Sequence, residues 1–228
     1  MKFDDLGERA LPQQPMPDAF EYDVFVDLSA SSMSEAQIAQ HVRQLRREGG
    51  YDSMSTDISV ALPGRTGIVT QDADLAHASS EGPQTFVRSA QHAAKRRRHL
   101  LVILGTLVPS NEAIASLLPV LASDPLFGSA QPRLADPLTD TLWPLFEVPK
   151  AKRKLVMTSR EVLMRLPAVV VAAETLGPCM LIRRELLAGI GESIGYESAR
   201  GAVLHALCMA RRKGFRTAIS QRTVVPVS

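Results

Sequence analysis

The sequence predicts an α/β fold: a single domain with a mainly parallel mixed sheet flanked by helices. Three observations carry this. Strand-like and helix-like segments alternate through the first half of the chain, as in parallel strands joined by crossover helices. The run His99–Leu104 (HLLVIL) is apolar without alternation, as in a central strand covered on both faces. The second half runs strand, strand, helix, helix, strand, which departs from simple alternation and mixes the sheet.

The elements follow in order. Residues 1–20 are polar and carry Pro12, Pro15 and Pro17, so they are expected as a flexible N-terminal arm ahead of an α/β domain over residues 21–228. Tyr22–Leu28 (YDVFVDL) alternates and is β-rich, which predicts a first strand. Ser34 is placed to cap the next helix. Ile38, Val42 and Leu45 share one face of it, and Gly49-Gly50 stop it. Asp57–Leu62 is a second strand ending in a Pro-Gly turn, and Gly67–Thr70 a further short strand. The helix PQTFVRSAQHAAKRRR turns Phe86, Val87, Ala90, Ala93 and Ala94 inward. Its basic end, Lys95–Arg98, suits the negative end of the helix dipole and is expected to be solvated. After HLLVIL, Ser110 caps a helix containing Pro119, and Phe127–Leu134 is a strand.

Residues 135–167 are irregular, with Pro137, Pro144 and Pro149 and one expected helix near Ser159–Arg165. PAVVVAAE and GPCMLIRR are strands, and RELLAGIG is a short helix stopped by glycine. Tyr196–Phe215 contains a long helix with Val203, Leu204, Leu207 and Cys208 available for packing. RTAIS and RTVVPV close the chain as two strands. No internal repeat is present.

A chain of 228 residues, 45% hydrophobic and 22% charged, can bury a substantial core. Its net charge of +2 is too small to argue for nucleic acid. Positive charge is clustered in KRRRH (Lys95–His99), KAKRK (Lys150–Lys154) and ARRKGFR (Ala210–Arg216). Such runs are usually solvated helix ends, and their functional alternative is an anionic surface. Phe215 is the sole aromatic inside a basic cluster, which disfavours nucleic acid as partner. Cys179 and Cys208 have no framework or metal spacing and are expected as buried thiols in a reducing compartment. No signal peptide is evident, and no apolar run approaches the roughly 18–20 residues that span a bilayer. The expected location is cytoplasmic, peripheral at most to the inner membrane face.

No dinucleotide fingerprint, P-loop or nucleophile elbow occurs. His41, His77, His92, His99 and His205 show no metal-ligand spacing. Two acidic motifs stand out. DSMSTD (Asp52–Asp57) precedes a strand rather than following one. Asp72-Ala73-Asp74 lies in a loop rather than at the end of a central strand.

Three longer segments point to a family. GPCMLIRRELLAGIG (Gly177–Gly191), SNEAIASLLPVLASDPLFGSAQPRL and ALCMARRKGFRTAIS resemble segments of family 2 glycosyltransferases, whose fold is of the nucleotide-sugar-binding GT-A type. The resemblance extends over Tyr22–Val227. It implies three acidic elements. An Asp after the second strand would bind the nucleotide base. A DxD after the central strand would hold a divalent metal. A later Asp would act as catalytic base.

None of the three is where the resemblance places it. Pro63-Gly64-Arg65-Thr66-Gly67 follows the second strand, and Gly105 and Leu107 occupy the DxD positions. Ala202-Val203 stand near the place of the base. Without such oxygen ligands, Mg²⁺ or Mn²⁺ is not expected at the usual site, and no cofactor is expected. The positions bordering the nucleotide are then Pro63, Gly64, Arg65, Arg88, Gly105 and Thr106, with Arg65 and Arg88 as cationic substitutes for the metal. The nearest carboxylates for a base are Glu174 and Glu197.

The expected function is therefore a glycosyltransferase-like protein without metal-dependent catalysis, non-catalytic or partner-dependent, in polysaccharide or glycoconjugate synthesis. An active metal-independent transferase is the first alternative, and a basic module for anionic membrane or nucleic acid the second. The implied partners are a nucleotide-sugar, an active glycosyltransferase or a second copy of the chain, and an anionic membrane surface.

Overall fold

The computed structural model describes residues 21–50, 56–63, 78–79, 81–136, 141–143, 169–172, 177–191 and 196–226. They form strands β1 (Tyr22–Asp27), β2 (Ile58–Ala61), β3 (Ala78–Ser79), β4 (His99–Leu104), β5 (Phe127–Asp136), β6 (Thr141–Trp143), β7 (Val169–Ala172), β8 (Cys179–Ile182) and β9 (Arg216–Pro226). The helices are α1 (Glu35–Gly49), α2 (Gly82–Lys95), α3 (Asn111–Ala122), α4 (Arg184–Leu187) and α5 (Ala199–Arg212).

All nine strands join one sheet in the order β3-β2-β1-β4-β8-β5-β9-β7, with β6 paired to β5. β1, β2, β3, β4, β5 and β9 run one way; β6, β7 and β8 run the other. The sheet is thus mixed. β8 sits antiparallel between β4 and β5, as the non-alternating second half required.

Two apolar layers hold the helices on. Val24, Val26, Leu101 and Ile103 pack with Ile38, Val42 and Leu45 of α1 and Ile114 and Leu117 of α3. Phe25, Leu100 and Val102 point to the opposite face, against Phe86 and Ala90 of α2, Leu187 of α4 and Val203 of α5. HLLVIL is therefore covered on both faces, as its unbroken apolar run predicts. β1 is covered on both faces too: its alternation with Asp23 does not mark a wet side, because Asp23 is buried in ion pairs.

The local signals in the sequence explain the helix starts. Ser34 Oγ accepts from the Gln37 N–H, and the Gln37 side chain returns to the Ser34 N–H. This capping box contributes about 1 kcal/mol. Ser110 and Ser198 cap α3 and α5 through the N–H groups of Ala113 and Gly201.

Four expectations are corrected. RTAIS and RTVVPV are one strand, β9, whose pairing with β5 shifts register between Pro132 and Arg133; the bulge keeps the chain in the sheet. α2 ends at Lys95, not Arg98, because Arg97 turns left-handed at φ +58°. On α5, Val203 is buried, but Leu204 and Cys208 are exposed, since the helix turns Ala199, Ala202 and Val203 inward, into the cluster it shares with α2. Cys208 is thus a surface thiol, whereas Cys179 is buried and its pKa is pushed up to about 12 by loss of water. The arm 1–20, the strand at Gly67–Thr70 and the helix near Ser159–Arg165 lie outside the described residues. No helix among the described residues is long and apolar enough to cross a membrane.

Candidate functional site

In open α/β sheets, ligands bind outside the carboxyl ends of strands where the chain order reverses. Here that point lies between β1 and β4. From β1 the chain crosses through α1 to β2 on one side, and β4 lies on the other. The last residues of the two strands, Asp27 and Leu104, stand side by side, and the Gly105 N–H donates to the Asp27 carbonyl at 2.8 Å.

Asp27 is a carboxylate on this edge that sequence reasoning missed. Its Oδ1 accepts from the Ser29 N–H at 3.1 Å and from Ser29 Oγ at 2.6 Å. This local turn fixes the carboxylate direction. The signal was present in the sequence: an acid as the last residue of the first strand, followed by serines. Ser31 Oγ is buried nearby in the chain with no hydrogen-bond partner among the described residues.

Two helix starts meet at the end of β2. α1 follows β1, whereas α3 starts against the far end of α1, where a Cβ on Gly50 would lie 3.3 Å from the Asn111 side chain. A Cβ on Gly82, at the start of α2, would lie 3.5 Å from the Ala199 side chain at the start of α5 and 3.7 Å from the Ala61 side chain at the end of β2. The starts of α2 and α5 therefore meet at the end of β2, and their dipoles favour an anion there. Arg133 stands at about the same level: the pairings of β8 set Leu101 against Leu181 and Leu181 against Ala130, so Leu104 and Arg133 lie equally far along their strands. Arg133 is fully buried, and its burial lowers its pKa.

The loop after β4 decides what the edge can hold. Gly105 adopts φ +98°, which a side chain rarely tolerates, and a Cβ there would meet nothing within 4 Å. Thr106 is exposed. Leu107 is 4% exposed and belongs to the core cluster of α1 and α3. A divalent cation wants six or more oxygens with carboxylates among them. Among the described residues, Asp27 is the carboxylate paired beside this loop, and its Oδ1 already serves Ser29. These residues do not fit such an ion.

The other expected positions divide. Pro63, half-buried two residues past β2, shares the edge with Gly105 and Thr106. Gly64, Arg65 and Glu174 lie outside the described residues, as do Asp52, Asp72 and Asp74. Arg88 is exposed on α2 and pairs with Glu81 at 3.5 Å. Glu197 is exposed just ahead of α5. Ala202 and Val203, near the expected place of a base, are buried in the cluster shared with α2.

The opposite edge corrects the reading of Lys95–Arg98 in part: Lys95 and Arg97 are exposed as expected, but Arg98 is buried and Arg96 half-buried. The left-handed turn at Arg97 lets both reach Asp23 Oδ1, at 3.3 and 3.1 Å. Arg98 also holds Glu21 at 2.6 Å, and Arg96 pairs with Asp57. His92 Nε2 lies 2.9 Å from Asp57 Oδ2. Asp23, Asp57 and His92 are spaced like metal ligands. The Arg96 guanidinium already supplies the cation between the two carboxylates, so the cluster is a structural ion network tying α2 to β1 and β2.

Two further basic residues of the GPCMLIRR segment are also structural. Arg183 donates to the carbonyls of Phe127, Leu121 and Asp124, closing the end of α3 onto β5. The Arg184 N–H donates to His99 Nδ1 at 3.2 Å. Burial holds His99 near a pKa of about 4, aided by Arg184 and Arg183 and opposed by Glu185. Burial also lowers the pKa of His41.

No protein-family model matches the sequence, and no curated protein matches it significantly.

Proposed function

We propose that the chain is a glycosyltransferase-like domain of the GT-A type that binds a nucleotide-sugar at the carboxyl edge of β1, β2 and β4 without metal-dependent catalysis, as a non-catalytic or partner-dependent member of polysaccharide or glycoconjugate synthesis. One observation carries this: Leu107, at one of the two positions where the resemblance calls for metal-binding acids, is packed in the hydrophobic core. A carboxylate there would have to leave water, so the place is closed to a metal ligand. Buried Ala202 and Val203 support the same reading for the base. The edge keeps what binding needs. Helix N-termini suit a diphosphate, and Asp27 can accept from a ribose hydroxyl or a base N–H.

Calorimetry with UDP-, GDP- and dTDP-sugars, with and without Mn²⁺, tests the proposal. The expected result is binding of one nucleotide class with the same affinity in both conditions, weakened about tenfold in Asp27→Asn. Metal-dependent binding would overturn it, and so would the absence of binding to every nucleotide.

A further inference from the structure

A pocket of about 160 Å³ opens between α2, α4 and α5, on the face of the sheet that carries the second core cluster. Its walls are apolar: Phe86 and Val87 from α2, Ile182 from β8, Leu186 from α4, Ile190 beyond it and Ala206 from α5. An apolar cavity of roughly 150 Å³ is known to stay dry and to accept a small hydrocarbon such as benzene. The volume therefore suits a ring or a short alkyl chain.

Among the described residues that line the pocket, the one full charge is positive. Lys213 lines the pocket, and its Nζ lies so close to Gly189 that a Cβ there would sit 3.2 Å from it. Lys213 forms no ion pair among the described residues. A second cation flanks the opening, for Arg212 Nη1 contacts Sδ of the lining residue Met209 at 4.0 Å. His205, tilted against Tyr196 at 5.2 Å between ring centres, supplies a polar ring on the same wall. None of the described lining residues is acidic. A neutral apolar ligand would leave the ammonium unused, and a cationic one would be repelled.

From this we infer that the pocket binds a small amphiphilic anion, its alkyl or ring portion inside and its carboxylate or phosphate on Lys213. The inference is independent of the nucleotide reading, because it uses none of the residues at the carboxyl edge.

Calorimetry on the full chain with octanoate, 1-octanol and octylammonium tests it. Octanoate is expected to bind saturably at one site, octanol more weakly and octylammonium not at all. Lys213→Gln is expected to weaken octanoate about tenfold and leave octanol unchanged. Ala206→Phe, which fills the pocket, is expected to abolish both with an unchanged far-UV spectrum. Equal octanoate affinity in the wild type and Lys213→Gln would overturn the inference. Octylammonium binding as tightly as octanoate, or no saturable octanoate binding, would do the same.

Phosphatidylglycerol vesicles identify the source of the anion. Vesicle binding lost in both variants assigns it to a lipid headgroup. Octanoate binding without vesicle binding assigns it to a free amphiphile, and either result upholds the site.

Discussion

His99 opens β4 and is buried, with Nδ1 accepting from the Arg184 N–H. Protonation would cancel that acceptor and place a charge out of water. Its pKa in the folded chain is accordingly about 4, against 6.5 for a free histidine. The unfolded chain therefore binds the proton more readily, and stability must rise with pH through this window. The contribution is full above about pH 6.5 and is lost as pH falls toward about 4. At about 1.36 kcal/mol per pH unit, the loss is about 2 kcal/mol at pH 5 and about 3 kcal/mol at pH 4. Other groups also titrate with unfolding, His41 among them, so the total pH dependence does not isolate His99. The difference between the wild type and His99→Asn does, because Asn keeps an acceptor near the Nδ1 position and cannot titrate in this range. Urea unfolding of both proteins at pH 7, 6, 5 and 4, followed by far-UV circular dichroism, measures it. The expected result is a stability gap that moves in favour of the variant by about 2 kcal/mol between pH 7 and pH 5. Parallel loss of stability in the two proteins would show that His99 is not held neutral by burial.

Three further substitutions probe the ion network, the turn and the core anchor. Arg98→Met leaves the buried Asp23 with Arg96 as its remaining arginine partner and is expected to lower unfolding free energy by about 3 kcal/mol, read from urea midpoints. Arg97→Gly relieves the left-handed turn while keeping the carbonyl that Arg184 uses, so a gain of about 1 kcal/mol is expected by the same measurement. Leu107→Asp is expected to cost about 3 kcal/mol or more and to gain no stability from added Mn²⁺; a rise in melting temperature with Mn²⁺ would contradict the assignment of position 107 to the core.

Much of the fold was legible because local signals agreed with each other. HLLVIL had to be central, Ser34 and Ser110 had to start helices, and the alternation of elements in the first half had to give parallel strands. The orientation of α5 was not legible. Leu204 and Cys208 share helical spacing with Val203 and Leu207, and only the packing of Ala199 and Ala202 in the cluster shared with α2 decides which face is covered. Small residues set that contact, and hydrophobic pattern gives them little weight. The roles of Arg96 and Arg98 were hidden for another reason. Their partners Asp23 and Asp57 are distant in sequence, and each looked accounted for, one as the polar half of an alternating strand and the other as part of an acidic motif. Asp27 was not legible because the resemblance places its acids after β2 and β4, not after β1.

The loop after β4 shows why scaffold and chemistry can part. The strand–loop–helix geometry needs something to hold the loop down, and Leu107 does this by packing in the same cluster as Ile114 and Leu117 of α3. A side chain at position 107 can point into that cluster or outward to a cation, but not both. With Leu there, the loop is anchored, the helix start is fixed, and Gly105 leaves the edge open. On the proposed function, an anion at this edge is met by backbone N–H groups and helix dipoles instead of a bridging ion. Such contacts are built into the fold and do not leave with a chelator. Nucleotide binding is therefore expected to be unchanged by excess EDTA and to weaken as ionic strength rises, since screening acts on these partial charges. Binding abolished by EDTA would mean that a ligand set other than the residues beside Gly105 recruits the metal.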